Sequence, residues 1–410
     1  MQLTLTRQTI TKNNFQESAA KISDTKFTSR RINGWQVKAI RLLIWFTILL
    51  IAIKKFINPV TALKKVKELK HLRNQYRSQQ VLPKFFKSGH RFFVNYNTPG
   101  WPSAAFNRYV NHVLNRFATD QLPTLNTLVF AITKKCGFQC EHCCEWLNLN
   151  KPETLSKEDL LLIIHRYHQL GIAQVQLSGG EPLNRLNDIF FLLDNSSKDI
   201  DFWLYTTGFS LTKEKAFKLK QHGLTGITIS LDHHEEDKHD AFRGVKNAWR
   251  NALLAAQYAT DAGLTVCFSI CATKEFISKK NLHSYIELAK KNRVAFIQIL
   301  EPKAVGHYSG QDVTLKKQHL EILEDFYETY NYNPALAQYP TISYHGYNSR
   351  RFGCSGSAVD YVYVDTDGDV HSCPFCQRKL FSAFDENLPD KILKMRSGGC
   401  SVYNFCNTSK

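Results

Sequence analysis

Short apolar runs alternate with helical patterns between Thr127 and Leu300, and this alternation constrains the fold more than any other feature. Strands separated by amphipathic helices are typical of parallel βαβ units. The predicted strands are Thr127–Thr133, Ala173–Leu177, Asp201–Tyr205, Gly226–Ser230, Leu264–Ile270 and Ala295–Leu300. The predicted helices are Lys157–Leu170, Asn184–Leu193, Thr212–His222, Ala248–Ala262, Asn281–Lys291 and Leu315–Tyr330. Six such units predict an α/β fold with a partial (β/α)6 TIM-like barrel.

Polar or reactive residues follow every predicted strand, at the end of a βα barrel where its working face lies. These segments are the cysteine loop KKCGFQCEHCCEW, SGGEP from Ser178, TTG from Thr206, SLD from Ser230, CATKE from Cys271 and EP from Glu301. Because all six belong to one rim, the sequence predicts a single active site there.

The cysteine loop holds four of the 11 cysteines, and three of them, Cys136, Cys140 and Cys143, are spaced CxxxCxxC. Cys144 directly follows Cys143, so both thiols cannot easily reach one tetrahedral metal. Structural zinc normally takes four closed ligands, and His142 is a zinc alternative. Thiolates also hold [4Fe–4S] clusters, in which three ligands leave one iron open. Clustered cysteines in a long chain indicate metal or redox chemistry in a reducing compartment.

Two motifs together resemble the radical S-adenosylmethionine (radical SAM) superfamily. The CxxxCxxC loop is followed, one βα unit later, by the family's GGEP, which stands here as Gly179, Gly180, Glu181 and Pro182. The resemblance covers residues 125–302. It implies an enzyme whose [4Fe–4S] cluster, held by the three cysteines, binds S-adenosylmethionine (SAM) at its open iron. With an electron from a low-potential donor, reductive cleavage of SAM would give a 5′-deoxyadenosyl radical that abstracts hydrogen from a substrate.

Other rim residues are cofactor contacts by the same resemblance. The two glycines let the backbone approach the ligand closely, and Glu181 or carbonyls beside it can accept hydrogen bonds from the cofactor ammonium. His142 stands where the family commonly has an aromatic residue. Ser230 and Asp232 resemble contacts made after strand four, and Arg243 resembles an arginine that pairs with the cofactor carboxylate. A surface ion pair is the alternative for Asp232 and Arg243.

A second cysteine set lies in residues 340–410. The stretch from Cys354 to Cys376 predicts a β-hairpin that turns at Asp365–Gly368. Its spacing resembles the opening of the superfamily's SPASM/twitch domains, which implies an auxiliary [4Fe–4S] cluster. The candidate ligands are Cys354 and Cys373, with two of Cys376, Cys400 and Cys406 completing the set. A zinc site made from the same residues is the alternative.

The N-terminal extension carries most of the basicity of the chain, whose net charge is +17. Residues 1–91 hold 19 Lys/Arg and three acidic residues. We predict a mobile basic arm over 1–36, a hydrophobic segment over 37–57, and basic amphipathic and linker helices over 58–120. The apolar run AIRLLIWFTILLIAI is shorter than the ~20 residues of a full span. Basic flanks favour an anchor in or on a bilayer, and a helix covered by protein is the alternative.

These observations define the expected organisation and activity. The barrel is predicted over 121–335 and the SPASM/twitch-like domain over 340–410. We expect a cytoplasmic enzyme, associated with a membrane on its cytosolic side, that acts on a peptide or small molecule. A lipid or lipid-linked substrate, and a non-catalytic metal scaffold, are the alternatives. Nucleic acid is not an expected partner, because aromatic residues are not interleaved with the N-terminal charge.

Overall fold

The computed structural model describes residues 29–76, 80–115 and 125–400, and these residues form thirteen strands and twelve α-helices. The strands are β1 (Ser29–Asn33), β2 (Lys84–Ser88), β3 (Arg91–Phe93), β4 (Thr127–Ala131), β5 (Gln174–Ser178), β6 (Asp201–Thr206), β7 (Gly226–Ser230), β8 (Thr265–Cys271), β9 (Phe296–Leu300), β10 (Thr341–Tyr344), β11 (Tyr361–Val364), β12 (Asp369–His371) and β13 (Phe381–Ser382). The helices are α1 (Trp35–Phe56), α2 (Pro59–Tyr76), α3 (Ala104–Asn115), α4 (Lys157–Gln169), α5 (Leu186–Asn195), α6 (Lys213–Gln221), α7 (Glu236–Arg243), α8 (Ala248–Asp261), α9 (Lys279–Lys291), α10 (Lys317–Tyr332), α11 (His345–Phe352) and α12 (Leu388–Gly398).

The main sheet has ten strands in the order β10-β9-β8-β7-β6-β5-β4-β11-β12-β13. Neighbours from β4 to β9 pair in parallel and follow chain order, as βαβ units require. Apolar side chains of these strands and of the intervening helices form one large buried core. The predicted α/β fold with six alternating units is therefore confirmed, with strand bounds shifted by at most two residues.

The cysteine-rich region is continuous with the barrel, which differs from the separate small domain that we predicted. β10 pairs in parallel with β9, and β11 pairs in parallel with β4, so each adds a strand to one edge of the main sheet. Pairing satisfies backbone groups that an open edge would leave exposed. The predicted turn at Asp365–Gly368 is confirmed, because β11 and β12 are antiparallel neighbours across it.

The N-terminal layer closes the barrel at the amino ends of its strands. β1, β2 and β3 form a separate antiparallel sheet, and Tyr96, just after it, packs edge-on against Trp203 of β6. Arg91 forms an ion pair with Asp201 at the start of β6, and Nζ of Lys84 donates to the carbonyls of Tyr330, Tyr339 and Pro340 at 2.7 to 3.2 Å. Each of these contacts ties the layer to the barrel floor.

Residues 29–33 correct the prediction of a mobile arm over 1–36, because they form β1, whose partner is β2. The side chain of Arg31 reaches the carbonyl of Val294 in the barrel, which fixes the strand in place. The rest of that predicted arm, 1–28, lies outside the described residues. Ser103 caps helix α3, since its Oγ accepts a hydrogen bond from the Phe106 N–H at 3.0 Å.

Candidate active site in the barrel

A cavity of about 290 Å³ lies inside the curved sheet, between the cysteine loop and the barrel floor at Tyr96 and Asn97. Nine of the eleven site residues predicted in the barrel line this cavity, whereas Glu181 and Pro182 do not. The nine are Cys136, Cys140, His142, Cys143, Gly179, Gly180, Ser230, Asp232 and Arg243. The structure therefore brings together residues that follow three strands, β4, β5 and β7, while their roles in binding stay predictions.

The three cysteines of the CxxxCxxC loop share one small cluster with Phe138 at the top of this cavity. Burial raises the pKa of the Cys136 thiol to about 11 and that of Cys143 to about 12, and in each case the neighbouring Cys140 thiol adds to the rise. Thiols crowded in this way ionise poorly unless a metal supplies compensating charge. This donor set fits an iron–sulfur cluster.

Asn150 holds the first cysteine in place and was missed by the sequence analysis. Its Oδ1 accepts from the Cys136 N–H at 3.1 Å, and its Nδ2 donates to the Cys136 carbonyl at 2.9 Å. Asn150 itself adopts a positive φ of 60°, which asparagine tolerates better than most residues. Nothing in the spacing of a lone asparagine signals this contact.

The two glycines of GGEP bring the β5 loop against the cysteine loop. Gly179 has a φ of +134°, and a Cβ there would lie 2.5 Å from the Thr133 carbonyl oxygen. The N–H of Gly180 donates to that same carbonyl at 2.7 Å, and the N–H of Glu181 donates to the Lys135 carbonyl at 2.7 Å. A side chain at Gly179 is therefore excluded twice, by backbone conformation and by space.

Glu181 faces β6 instead of the cavity, which differs from its predicted contact with the cofactor ammonium. Its carboxylate accepts from the hydroxyl of Thr206 at 2.6 Å and from the N–H and hydroxyl of Thr207 at 2.8 and 2.7 Å. A buried carboxylate gains more from these fixed donors than from an open cavity. Glu181 therefore positions the GGEP and TTG loops relative to each other.

Asp232 and Arg243 form a buried ion pair, not the surface pair weighed from the sequence. Two guanidinium nitrogens of Arg243 lie 2.6 and 2.5 Å from Oδ2 of Asp232, and a third lies 3.4 Å from Sγ of Cys140. Burial opposes ionisation of Asp232, but Arg243, the neighbouring histidines and the Cys271 N–H together hold the pKa of Asp232 below its usual value. Arg243 thus connects Asp232, a predicted cofactor contact, with Cys140, a predicted ligand of the cluster.

His142 is a neutral, buried ring beside this pair. It stacks on Phe242 with 5.0 Å between ring centroids, and burial lowers its pKa to about 4. Among the described residues no group hydrogen-bonds its Nδ1. The ring fits the aromatic position expected before the third cysteine.

The loop after β9 covers the cysteine loop from outside. The N–H of His307 donates to the Cys143 carbonyl at 2.9 Å, its Nδ1 lies 2.9 Å from the Cys140 carbonyl, and its ring stacks on Trp146. Gly306, with a φ of +59°, packs directly against the backbone of Cys143 and Cys144. These contacts of His307 position the loop after β9 against the cysteine loop.

The hairpin of β11 and β12 fixes the other side of the cysteine loop. Nζ of Lys134 lies 2.6 Å from the Asp367 carboxylate, and the Tyr363 hydroxyl donates to Glu145. Burial raises the pKa of Glu145, which favours its neutral form. Cys144 lies beside Glu145, and burial raises its thiol pKa well above the usual value.

Four cysteines of the second set lie close together, next to Tyr361 and Pro374, which line the same cavity. Sγ of Cys373 lies 3.4 Å from Sγ of Cys376, and Cys354 interacts with both Cys376 and Cys400. Burial is the main cause that raises the pKa of Tyr361 in β11, and the four thiols, which lie near its hydroxyl, raise it further. Cys406 lies outside the described residues. The four thiols fit a four-cysteine metal site.

Comparisons with known proteins match this geometry. Residues 130–278 match the family model of the Radical SAM superfamily. The AdoMet-dependent heme synthase of Nitratidesulfovibrio vulgaris is 27% identical over 220 residues, 52% of this chain and 58% of that protein. The GTP 3',8-cyclase of Campylobacter lari is 33% identical over 187 residues, 43% of this chain and 56% of that protein. The chain thus spans little more than half the length of these relatives.

Solved structures share the fold. Streptococcus suis SuiB bound to precursor peptide SuiA has a TM-score of 0.54 and 16% identity, covering 81% of this chain and 77% of that one. At this identity the likeness shows the fold alone. The matched segment 130–278 contains the cysteine loop, GGEP and the Asp232–Arg243 pair, so the chain contains a radical SAM domain.

Proposed function

We propose that this protein is a radical SAM enzyme that removes a hydrogen atom from a peptide or an uncharged small molecule. One observation carries the proposal: three crowded thiols, the close glycine turn and the buried Asp232–Arg243 pair line a single cavity. A scaffold protein needs a metal site but has no need of a cavity beneath it.

Cys136, Cys140 and Cys143 would hold the [4Fe–4S] cluster, and Gly179, Gly180 and Ser230 would border SAM. When bound, these groups supply a 5′-deoxyadenosyl radical that takes hydrogen from the substrate, with the electron coming from a low-potential donor. The chain orients the groups and limits access of water. Arg243 holds positive charge beside Cys140, and the buried Asp232 fixes the guanidinium in that orientation.

The lining of the cavity favours an uncharged substrate over an anionic one. Arg243, already paired with Asp232, is the single lysine or arginine among the described lining residues. Burial lowers the pKa of His345 at the floor, so this ring is neutral as well. Hydroxyl and amide groups of Tyr205, Gln176 and Gln298 form the middle of the wall. A nucleoside triphosphate, the substrate named for the cyclase relative, would lack cationic partners here.

We also propose an auxiliary [4Fe–4S] cluster at Cys354, Cys373, Cys376 and Cys400, as in a twitch-like domain. The four thiols supply one ligand set, and Pro374 and Phe375 between two of them line the substrate cavity. A cluster in this position is close enough to accept an electron from a substrate radical, which would give net oxidation. Zinc at the same residues would leave the site redox-inactive.

The activity test is anaerobic incubation of the purified protein with SAM and dithionite, with 5′-deoxyadenosine measured. We expect 5′-deoxyadenosine from the wild type and from Cys267→Ala, whose buried thiol lies outside the CxxxCxxC loop. Cys140→Ala should form none. A cluster-loaded wild type that forms no more than Cys140→Ala would overturn the proposal.

The auxiliary site is tested separately by metal analysis of anaerobically reconstituted protein. Two [4Fe–4S] clusters contain about eight irons. We expect about eight in the wild type and about four in the double variant Cys354→Ala/Cys373→Ala, with SAM cleavage retained. Zinc in place of half the iron would refute the auxiliary cluster and leave the radical SAM proposal intact.

The expected location is the cytosol, where thiol ligands stay reduced, at the surface of a membrane. Helix α1 supports the second part: among the described residues it is the one helix long and apolar enough to cross a membrane by length and composition. A lipid-linked substrate is the second candidate that such a location would favour.

A further inference from the structure

Helix α1 carries one packed face and one exposed face along its whole length. Val37, Ile40, Ile48 and Ala52 are buried against the N-terminal layer. The opposite face presents large apolar side chains to solvent. Its exposed members are Trp35 (76% exposed), Leu42 (72%), Leu43 (51%), Phe46 (57%) and Leu50 (51%). At helical spacing these five form one stripe about 22 Å long.

The packed face excludes a helix that spans a bilayer while the rest of the fold is kept. Arg41 donates to the Leu82 carbonyl at 2.8 Å, and Thr47 accepts a hydrogen bond from the Trp101 indole at 3.1 Å. Arg73 of α2 stacks over the Trp45 ring. These polar contacts occur near the middle of α1, where a spanning helix would be surrounded by lipid. The helix must lie along a surface instead.

The turn between α1 and α2 extends the stripe with two more apolar residues. Ile57 is 86% exposed and Val60 is 78% exposed. Ile57 adopts a φ of 60°, which is an outlier for a β-branched residue. Strain of this kind persists where it serves a role, and here it holds an apolar side chain out at the tip of a hairpin.

The charged residues around the stripe indicate which kind of partner surface it binds. Between Trp35 and Tyr76 the chain has nine lysines and arginines and one acidic residue, Glu68. Lys38 and Lys54 flank the stripe on α1, and Lys64 and Lys67 are exposed on α2. Apolar residues with a basic border and an exposed tryptophan match the interface of an anionic bilayer. A protein partner would not require this excess of positive charge.

We propose that α1 and the α1–α2 turn form an in-plane docking surface for an anionic membrane, with the stripe seated in one leaflet and the barrel on the cytosolic side. This inference deepens the membrane location proposed above. Basic side chains contact lipid phosphates, and the packed face keeps its protein contacts. Binding therefore falls with added salt, because exposed charges are screened.

The test is flotation of the full-length chain with vesicles of phosphatidylcholine alone or with 30% phosphatidylglycerol. We expect flotation with the anionic vesicles, reduced about tenfold or more in Leu42→Glu/Phe46→Glu, because this variant replaces two exposed apolar side chains of the stripe with charged ones that would have to enter the leaflet. The matched control, Leu162→Glu/Leu254→Glu, changes two exposed leucines of α4 and α8 and should float like the wild type. Both double variants should retain SAM cleavage, so failure of docking is separable from failure of the enzyme.

Reporters at the two chain ends then distinguish in-plane docking from spanning. Both ends should face the cytosol. The proposal would be overturned by reporters on opposite sides of the membrane, or by equal flotation of Leu42→Glu/Phe46→Glu and wild type. It would also be overturned if a second copy covers the stripe in a dimer that this variant dissociates.

Discussion

Gly179 is the residue at which backbone conformation and site chemistry meet. We predict that Gly179→Ala abolishes cluster loading and SAM cleavage, because the new Cβ meets the Thr133 carbonyl and displaces the cysteine loop. Gly223 is a matched control, since its φ is +103° but nothing lies within 4 Å of a Cβ there. Both variants should lose about 1–3 kcal/mol of stability from strain, measured by thermal unfolding. If Gly179→Ala keeps wild-type iron content, the close approach of the two loops is unimportant.

Asn150 provides the second prediction at this scale. Asn150→Gly keeps the positive φ but removes both hydrogen bonds to Cys136, worth about 1–3 kcal/mol together. We expect slower cluster reconstitution and faster loss of iron to a chelator. Lys151→Ala, at the next position, should behave as the wild type. Equal chelation rates for Asn150→Gly and wild type would show that the cysteine loop needs no such clamp.

Residues within spaced motifs could be predicted from the sequence, and residues outside them could not. The three loop cysteines and the two glycines of GGEP line the cavity as their spacing indicated. The direction of the Glu181 side chain depends on donors at Thr206 and Thr207. Glu181 follows β5, whereas these two donors lie at the end of β6. Such contacts between distant loops leave no periodic signal in a single sequence.

Among the elements, the long alternating units and the β11–β12 hairpin were predictable, but the sheet edges that β10 and β11 join were not. Strands β4 to β9 are five to seven residues long and fully apolar on one face, so their signal is strong. β10 and β11 have four residues each, and their membership of the main sheet depends on pairing with β9 and β4. Local pattern cannot reveal which edge a short strand joins.

Helix α11 gives a prediction in pH, because Arg350 ties it to the end of β9. Burial opposes ionisation of Glu301, but Arg350, with smaller contributions from Lys303 and Tyr344, holds the pKa of Glu301 below its usual value. A lowered carboxyl pKa contributes stability above the unfolded pKa, near 4.5, that is lost as pH falls through the folded pKa. Arg350→Gln leaves the buried carboxylate without its closest cation at neutral pH.

We therefore expect Arg350→Gln to lower the melting temperature most between pH 7 and the unfolded pKa near 4.5, and progressively less as the pH falls below that value through the folded pKa of Glu301, because a protonated Glu301 needs no cation. The measurement is thermal unfolding of both proteins across this range. A difference that stays constant with pH would mean that Arg350 stabilises through packing or through Glu324 alone.

At the scale of the whole molecule, the N-terminal layer and the barrel are one folded unit. Burial lowers the pKa of Lys84 to about 7, and its Nζ satisfies three barrel carbonyls. We predict that Lys84→Met destabilises the protein by about 1–3 kcal/mol, since buried acceptors lose their donor. The exposed Lys213→Met should change stability little. Two separate unfolding transitions in the wild type would contradict a single unit.

We propose that one iron of the cluster has no protein ligand, and electron paramagnetic resonance of the reduced protein is the measurement that tests this. The double variant Cys354→Ala/Cys373→Ala isolates the cluster of the CxxxCxxC loop from the auxiliary site. If Cys136, Cys140 and Cys143 supply three ligands for four irons, as proposed, SAM would have a free coordination position. We predict a [4Fe–4S] signal from the reduced double variant whose g values shift when SAM is added. A signal that SAM leaves unchanged, or a protein that binds zinc and no iron at this loop, would contradict it.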